Sequence, residues 1–348
     1  MAPRIKNWHF KESKLIKVAV ICGGRSSEHE ISCVSASGII AAIDRNKYEP
    51  SLIGITKNGK WVSLPVDTKF EIKGSQLPEV PEHAPSIALE NIDADVIFSI
   101  LHGPYEKMAQ FNGLFEMLDK PYVGSGVLAS AIAMDKHFAK EIFAAHKIKV
   151  APGVAIKAGD SIHDYQMGYP LFVKPARGGS SRGTHKVKSP DGLKDAIADA
   201  FKYDRKVMIE KAIVGREIEC AVLEIDGRIE CSVPGEIKID SKFEFYDFEA
   251  KYLDGATTVL APADIKRSDE IRTAAIEAFK ALGCSGLARV DFFYTDKDEI
   301  VINELNTLPG FTPTSVFPRL WQETGVGYTQ LITALLETAL TRTNSALN

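Results

Sequence analysis

The sequence predicts a mixed α/β (α+β) chain built from more than one domain. Two observations carry that expectation. At 348 residues the chain exceeds what one hydrophobic core organises. Short β-branched runs also alternate with stretches whose apolar residues recur at helical spacing. With 45% hydrophobic and 25% charged residues, the composition is that of an ordinary folded protein.

The first element is a strand, KVAVIC (17–22), which stops at Gly23-Gly24; the following SSEHEISCVSASGIIAAI (26–43) reads as a helix. Ser27 and Glu30 stand at capping-box spacing, which fixes the helix start and leaves backbone N–H groups able to meet an anion, although plain capping explains the pattern equally well. DVIFSILHG (95–103) reads as a further strand of a parallel sheet, ending at His102-Gly103 where ligands sit in open α/β sheets. These runs assign an N-terminal α/β domain to 1–134. A second domain, 135–209, contains a helix and the strands YPLFVKPA (169–176) and KVMIEKAI (206–213) around a glycine loop. The third, 210–348, has several strand-like runs, a helix from Ser268 to about Leu282 stopped by Gly283, and a hairpin. In its last helix Tyr328, Leu331, Ile332, Leu335, Leu336, Ala339 and Leu340 recur at helical spacing, which marks a packing face without a catalytic role.

A net charge of −4 gives no global positive field, so nucleic acid is not an expected partner and any phosphate chemistry rests on a few local cations. The start, MAPRIKNWHFKESK, lacks an apolar h-region, and no run approaches the roughly 18 apolar residues of a membrane span, so a cytoplasmic location without membrane attachment is expected. The five cysteines, at 22, 33, 220, 231 and 284, form no CxxC pair and read as small buried hydrophobes in a reducing compartment.

The segment LARVDFFYTDKDEIVINELN (287–306) holds two β-rich runs around the turn-forming Thr295, Asp296, Lys297 and Asp298. A hairpin symmetric about Lys297 and Asp298 places Asp291 opposite Glu304 and Arg289 opposite Asn306, all four on one face. Directly opposed carboxylates repel unless compensated. A divalent cation converts that repulsion into coordination, and Asp, Glu and Asn oxygens are the hard ligands Mg²⁺ takes alongside nucleotide phosphates. The bland alternative is a solvated acidic face on an edge hairpin. Upstream, Lys174 ends an apolar strand and precedes PARGGSSRG, whose glycines permit close backbone approach while Ser180 and Ser181 add hydroxyl donors. The loop is neither Walker A nor GxGxxG, and it serves equally as a flexible connector.

Taken together, GGRSSEHEIS, LHGP, YVGSGVLASAIAMDK, PLFVKPARGGSS, REIE, FYDFEAKYLD, GLARVDFF and NELNTLPGFTPTS resemble the ordered motif series of the D-alanine:D-alanine ligases, over about residues 17–340. The resemblance implies an ATP-grasp fold behind an N-terminal Rossmann-like (pre-ATP-grasp) domain, with ATP between the central and C-terminal domains. It implies that Lys136 and Lys174 hold the nucleotide phosphates, with Ser181 and Lys251 on the nucleotide side, that Glu210 meets adenine, and that Glu217 bonds the ribose. Asp291, Glu304 and Asn306 match the family's metal ligands, for two Mg²⁺ ions or Mn²⁺ in their place. Glu28 and His102 match the subsite of the first D-alanine. Ser180, Arg289 and the Gly310 backbone N–H match its catalytic groups, and Ser315 the anchor of the second D-alanine's carboxylate. FYDFEAKYLD, with Tyr246, Lys251 and Tyr252, is similar to the family's mobile loop. Relatives that make D-alanyl-D-lactate carry a different residue at Tyr252, so amine acceptors are expected over hydroxyl acceptors. The implied reaction joins two D-alanines through an acylphosphate for peptidoglycan synthesis, and a homodimer is expected.

The chain departs from the family after His102-Gly103-Pro104-Tyr105. A stretch resembling GEDGTIQG is usual there, whereas Glu106, Lys107, Met108, Ala109, Gln110, Phe111, Asn112 and Gly113 stand here. Lys107 reverses a charge near the first substrate's subsite. Arg182 stands where the phosphate loop commonly has a small or aliphatic residue. Two further readings therefore stay beside the ligase: a related ATP-grasp ligase with another D-amino or D-hydroxy acid, and a catalytically weak nucleotide-binding paralogue. The intact set Lys136, Lys174, Arg289, Asp291, Glu304 and Asn306 favours the ligase.

Overall fold

The computed structural model describes residues 14–72, 77–102, 108–163, 165–179, 181–239 and 257–342. The N-terminal part is a four-stranded sheet of β1 (Ile16–Gly23), β2 (Tyr48–Ile55), β3 (Trp61–Leu64) and β4 (Val96–Ser99), ordered β3-β2-β1-β4. β1 runs parallel to both β2 and β4. Val18, Val20 and Cys22 enter a core that includes helix α1 (His29–Ala42), while Ala19 and Ile21 pack on the opposite side. Burial on both faces is why KVAVIC reads as an unbroken apolar run. Gly23 (φ +89°) is required, because a Cβ there would lie 2.3 Å from the Ile55 carbonyl oxygen.

The expected capping box does not form. α1 begins at His29 with Glu28 in the N-cap position and no side-chain cap. Ser26 Oγ accepts from the Glu28 N–H at 3.2 Å, and Glu30 is held by Lys57 at 2.6 Å. Buried His29 fixes the helix entry instead. Its Nδ1–H donates to Gly24 O at 2.6 Å and its Nε2 accepts from the Val80 N–H at 3.1 Å.

Helices α2 (Met108–Met117) and α3 (Val127–Met134) follow. Two of the atypical residues of this segment are structural. Phe111 packs on Trp61 and Phe115 at 5.9 and 6.3 Å between centroids, and buried Asn112 donates to Ser125 O at 2.7 Å. Glu106 and Lys107 lie outside the described residues.

The central part has helix α4 (Lys136–Ala145), strands β5 (Gly153–Lys157), β6 (Leu171–Pro175) and β7 (His185–Val187), helix α5 (Leu193–Ala200) and strand β8 (Lys206–Lys211). They form an antiparallel sheet in the order β5-β8-β6-β7, and α5 covers one face.

The C-terminal sheet is β12-β11-β9-β13-β14, with β10 beside β9: β9 (Arg216–Ile225), β10 (Arg228–Cys231), β11 (Gly235–Ile239), β12 (Thr257–Leu260), β13 (Leu287–Tyr294) and β14 (Ile300–Asn306). On one face Ile218, Cys220, Val222, Val290 and Phe292 pack against helix α6 (Ser268–Ala281), which is followed by Gly283 at φ 66° as expected. On the other, Ala221, Leu223 and Leu287 share a core with α7 (Val316–Glu323), α8 (Tyr328–Thr341) and α1. The expected packing residues of α8, including Leu331, Ile332, Leu335, Leu336 and Ala339, are buried there. Four of the cysteines are buried, Cys284 is half-buried, and all are free. Among the described residues no helix is long and apolar enough to cross a membrane.

The β13–β14 hairpin keeps the expected pairs Arg289↔Asn306 and Asp291↔Glu304, but the register then slips to Phe292↔Ile302. Asn303 is the extra residue of a β-bulge. Ile302 and Leu305 belong to the core under α6, so the bulge lets two consecutive side chains, Asn303 and Glu304, line the opposite face.

Candidate active site

A cleft of 580 Å³ is walled by the central sheet, the C-terminal sheet and the carboxyl end of the N-terminal sheet. Every expected site residue within the described part of the chain lines it: Glu28, His102, Lys136, Lys174, Ser181, Glu210, Glu217, Arg289, Asp291, Glu304, Asn306, Gly310 and Ser315. Ser180, Tyr246, Lys251 and Tyr252 lie outside the described residues.

On the central wall, Lys174 projects from β6 and Glu210 from β8, and the two are ion-paired. Lys140, one turn after Lys136 on α4, reaches the other Glu210 oxygen at 2.5 Å. Gly153 faces Glu210 across the sheet, where a Cβ would sit 2.9 Å from the Glu210 Cβ. Burial works to raise the Glu210 carboxyl, but Lys140 and Lys174 overcome it and hold it at about 2. Burial lowers Lys140 to about 8 against the pull of Glu210. Two buried cations on one carboxylate make this wall suited to an anion. Lys136 Nζ donates to Gly178 O at 2.6 Å and lies 3.4 Å from Glu304, linking the glycine loop to the opposite wall. Ser181, in the left-handed region at φ 56°, and Arg182 complete that loop's share of the lining.

On the C-terminal wall the strand registers generate a lattice of side chains. Glu219, Asp291 and Glu304 form one row across β9, β13 and β14; Ala221, Arg289 and Asn306 form the next. The Arg289 guanidinium donates to both Asp291 oxygens, at 2.8 and 2.7 Å, and its Nε lies 3.0 Å from Glu219. Asn306 donates to Asp291 at 3.1 Å. Among the described residues, no three His, Cys, Asp or Glu side chains converge into a ready-made cation cage.

At the third end, Glu28 precedes α1 and His102 follows β4. His102 is 8% exposed, and its Nε2 has no hydrogen-bond partner among the described residues. Burial lowers its pKa despite Glu28, so the imidazole is neutral. Ser315 N-caps α7 by position, and its Oγ accepts from the Thr312 N–H at 3.1 Å. A Cβ at Gly310 would lie 3.1 Å from that Oγ, so only glycine leaves the Ser315 hydroxyl undisturbed.

Sequence reasoning missed Lys140, Glu219 and Asn303. The first two carried a signal: Lys140 follows Lys136 at i+4, on the same helical face, and Glu219 follows Glu217 at the strand period. Asn303 carried none, because a bulge inside a β-rich run leaves no mark in the alternation.

Two family models match, D-ala D-ala ligase N-terminus over residues 17–125 and D-ala D-ala ligase C-terminus over 148–337. The D-alanine–D-alanine ligase of Arthrobacter sp. (strain FB24) is 45% identical over 360 residues, covering 94% of each chain. Among solved structures, the VanG D-Ala:D-Ser ligase from Enterococcus faecalis superposes with a TM-score of 0.80 at 35% identity, covering 94% of this chain and 100% of that one. The D-alanine–D-alanine ligase from Bacillus anthracis complexed with ATP gives 0.75 at 28% identity, covering 93% and 97%.

Proposed function

The chain belongs to the D-alanine–D-alanine ligase family, and from that premise we propose how its cleft carries out the family's reaction. That reaction is the ATP-dependent joining of two D-alanines for peptidoglycan synthesis, on an ATP-grasp fold. The observation that carries the residue roles is the facing of two walls: Lys136 and Lys174 on one, with buried Lys140 paired to Glu210, and the carboxylate row with Arg289 on the other.

In this reading Lys136 and Lys174 neutralise the ATP phosphates, Glu210 meets the adenine and Glu217 the ribose. Phosphoryl transfer depends mostly on such positioning and charge. The donor set fits a divalent cation, because Asp291, Glu304 and Asn306 offer hard oxygens on adjacent strands in a concentration of negative charge. When bound there, Mg²⁺ supplies charge neutralisation at the transferring phosphoryl group. Glu28 receives the first D-alanine's ammonium, and the neutral His102 imidazole lies beside it without repelling it. Arg289 and the Gly310 N–H stabilise the oxyanion formed when the second amine attacks, and Ser315 at the head of α7 anchors the second carboxylate. The same reading sets the enzyme in the cytoplasm, where ATP is made, as a homodimer that light scattering tests.

The test is ADP formation with ATP, Mg²⁺ and D-alanine, with L-alanine, D-lactate and D-serine as parallel substrates and products identified by mass. D-alanyl-D-alanine as the dominant product is expected. A preference for D-serine or D-lactate as acceptor would overturn the acceptor assignment. Asp291→Ala and Glu304→Ala should each abolish Mg²⁺-dependent turnover; unchanged rates in both remove the metal assignment.

A further inference from the structure

Two roles assigned above compete for the same atoms. Asp291 is read as a metal ligand and Arg289 as the oxyanion-stabilising cation, yet in the structure the guanidinium spans both oxygens of Asp291. A carboxylate that turns its oxygens toward a cation releases the arginine. A long, freed side chain loses the preorganisation that makes such a donor effective.

The neighbouring strand offers a second hold. Glu219 lies in register with Asp291 on β9, 3% exposed, and its Oε2 is 3.0 Å from Arg289 Nε. Beyond it on β11 the row ends in Gly235, and diagonal to it Ala221 stands opposite Arg289. Ala221 is small, so no large side chain stands between the Glu219 carboxylate and the guanidinium on that diagonal. A buried carboxylate is costly unless a charge compensates it, and Arg289, on the diagonal, is the cation that reaches it.

We propose that Glu219 is the positioning residue of Arg289: it holds the guanidinium on the cleft face of the sheet when Asp291 gives its oxygens to the metal. This rests on the assignment of Arg289 and Asp291 made above. In this role Glu219 acts through Arg289 and is not a metal ligand. It separates the metal site from the oxyanion site by giving each its own carboxylate.

The isosteric Glu219→Gln removes the charge and keeps the volume, and Glu219→Asp keeps the charge on a shorter stem. The expected result for Glu219→Gln is a fall in kcat on the order of 10- to 100-fold, the scale of a misplaced catalytic group, with KM for ATP unchanged. Calorimetric binding of a non-hydrolysable ATP analogue should keep the wild-type Mg²⁺ dependence, and this reading needs no turnover. In an Arg289→Ala background, Glu219→Gln should add no further loss of kcat, because the residue acts through the arginine. Glu219→Asp should recover part of the rate.

Additive losses in the double variant overturn the proposal, as does a weakened Mg²⁺ dependence of analogue binding in Glu219→Gln, which would make Glu219 a metal ligand. Arg289→Ala with wild-type kcat is a different failure and removes the prior assignment of the arginine. Wild-type binding of the analogue also certifies that the Gln and Asp variants are folded, so a rate loss in them is not read from a collapsed chain.

Discussion

Lys140 is the ionisable residue whose setting has the clearest measurable consequence. Its pKa of about 8 lies below its ordinary 10.5, so between those values the unfolded chain binds a proton that the folded chain does not. Stability therefore rises with pH across that window, and the buried charge costs stability below it. Glu210 is lowered too, so stability also rises with pH across its own window, but here the charged form is the stabilising one. Held at about 2 instead of 4.5, it contributes stability that is present above 4.5 and lost as pH falls through about 2. For function, loss of the Lys140 proton leaves Glu210 leaning more strongly on Lys174, which is then less available to phosphate. KM for ATP at saturating D-alanine should rise above pH about 8. Lys140→Met should raise that KM at every pH and flatten the alkaline limb; a Met variant that keeps the wild-type limb assigns it to another group. In the sequence Lys140 is marked only by its i+4 spacing from Lys136. Its partner Glu210 comes from a strand 70 residues away, and no local pattern records that distance.

At the scale of elements, alternation was legible wherever a strand has two chemically different faces. The pairing of Asp291 with Glu304 followed from it, as did the unbroken apolar run of β1, which is buried on both sides. The entry to α1 was misread because its fixed points, Val80 for His29 and Lys57 for Glu30, lie elsewhere in the chain. The bulge was invisible because the turn pairs Tyr294 with Ile300, one residue out of phase with the functional end, and Asn303 absorbs the difference. Deleting Asn303 should therefore regularise β14 without moving Glu304 from opposite Asp291. The variant should fold and keep Mg²⁺-dependent turnover. It should lose the long 3.4 Å contact between Asn303 Oδ1 and Lys174 Nζ, raising KM for ATP by roughly 3- to 10-fold, the scale of one ordinary hydrogen bond. Steady-state kinetics with circular dichroism measures this. Complete loss of metal-dependent turnover in a folded variant would mean that the bulge itself places Glu304.

Over the whole molecule, the subsite assigned to D-alanine is assembled from both ends of the chain. Glu28 and His102 come from the N-terminal sheet, while Arg289, Gly310 and Ser315 come from the C-terminal part, and one hydrophobic core joins α1, α8 and β9 beneath them. The sequence marked α8 as a packing helix and held no sign of what fixes its end. Just past that end, Arg342 donates to Tyr122 O at 3.0 Å and to Ser285 Oγ at 2.9 Å, also bonds Gly124 O, and lies 4.4 Å over the Tyr122 ring. Ser125 and Ser285 add their own bonds across the same junction. The guanidinium thus ties the loop leaving the N-terminal sheet to the segment that leads into the strand carrying Arg289 and Asp291. Arg342→Ala strips these carbonyls of a charged donor and should lower the thermal midpoint by a few degrees. The shared core remains, so the chain should still fold. The two halves of the subsite assigned to D-alanine lose a fixed separation, whereas the walls assigned to ATP, contributed by the central and C-terminal sheets, do not depend on this junction. KM for D-alanine should therefore rise more than KM for ATP. An equal rise in both would place the effect of Arg342 in general loosening of the fold, and an unchanged KM for D-alanine would mean that the shared core alone sets the geometry of the subsite.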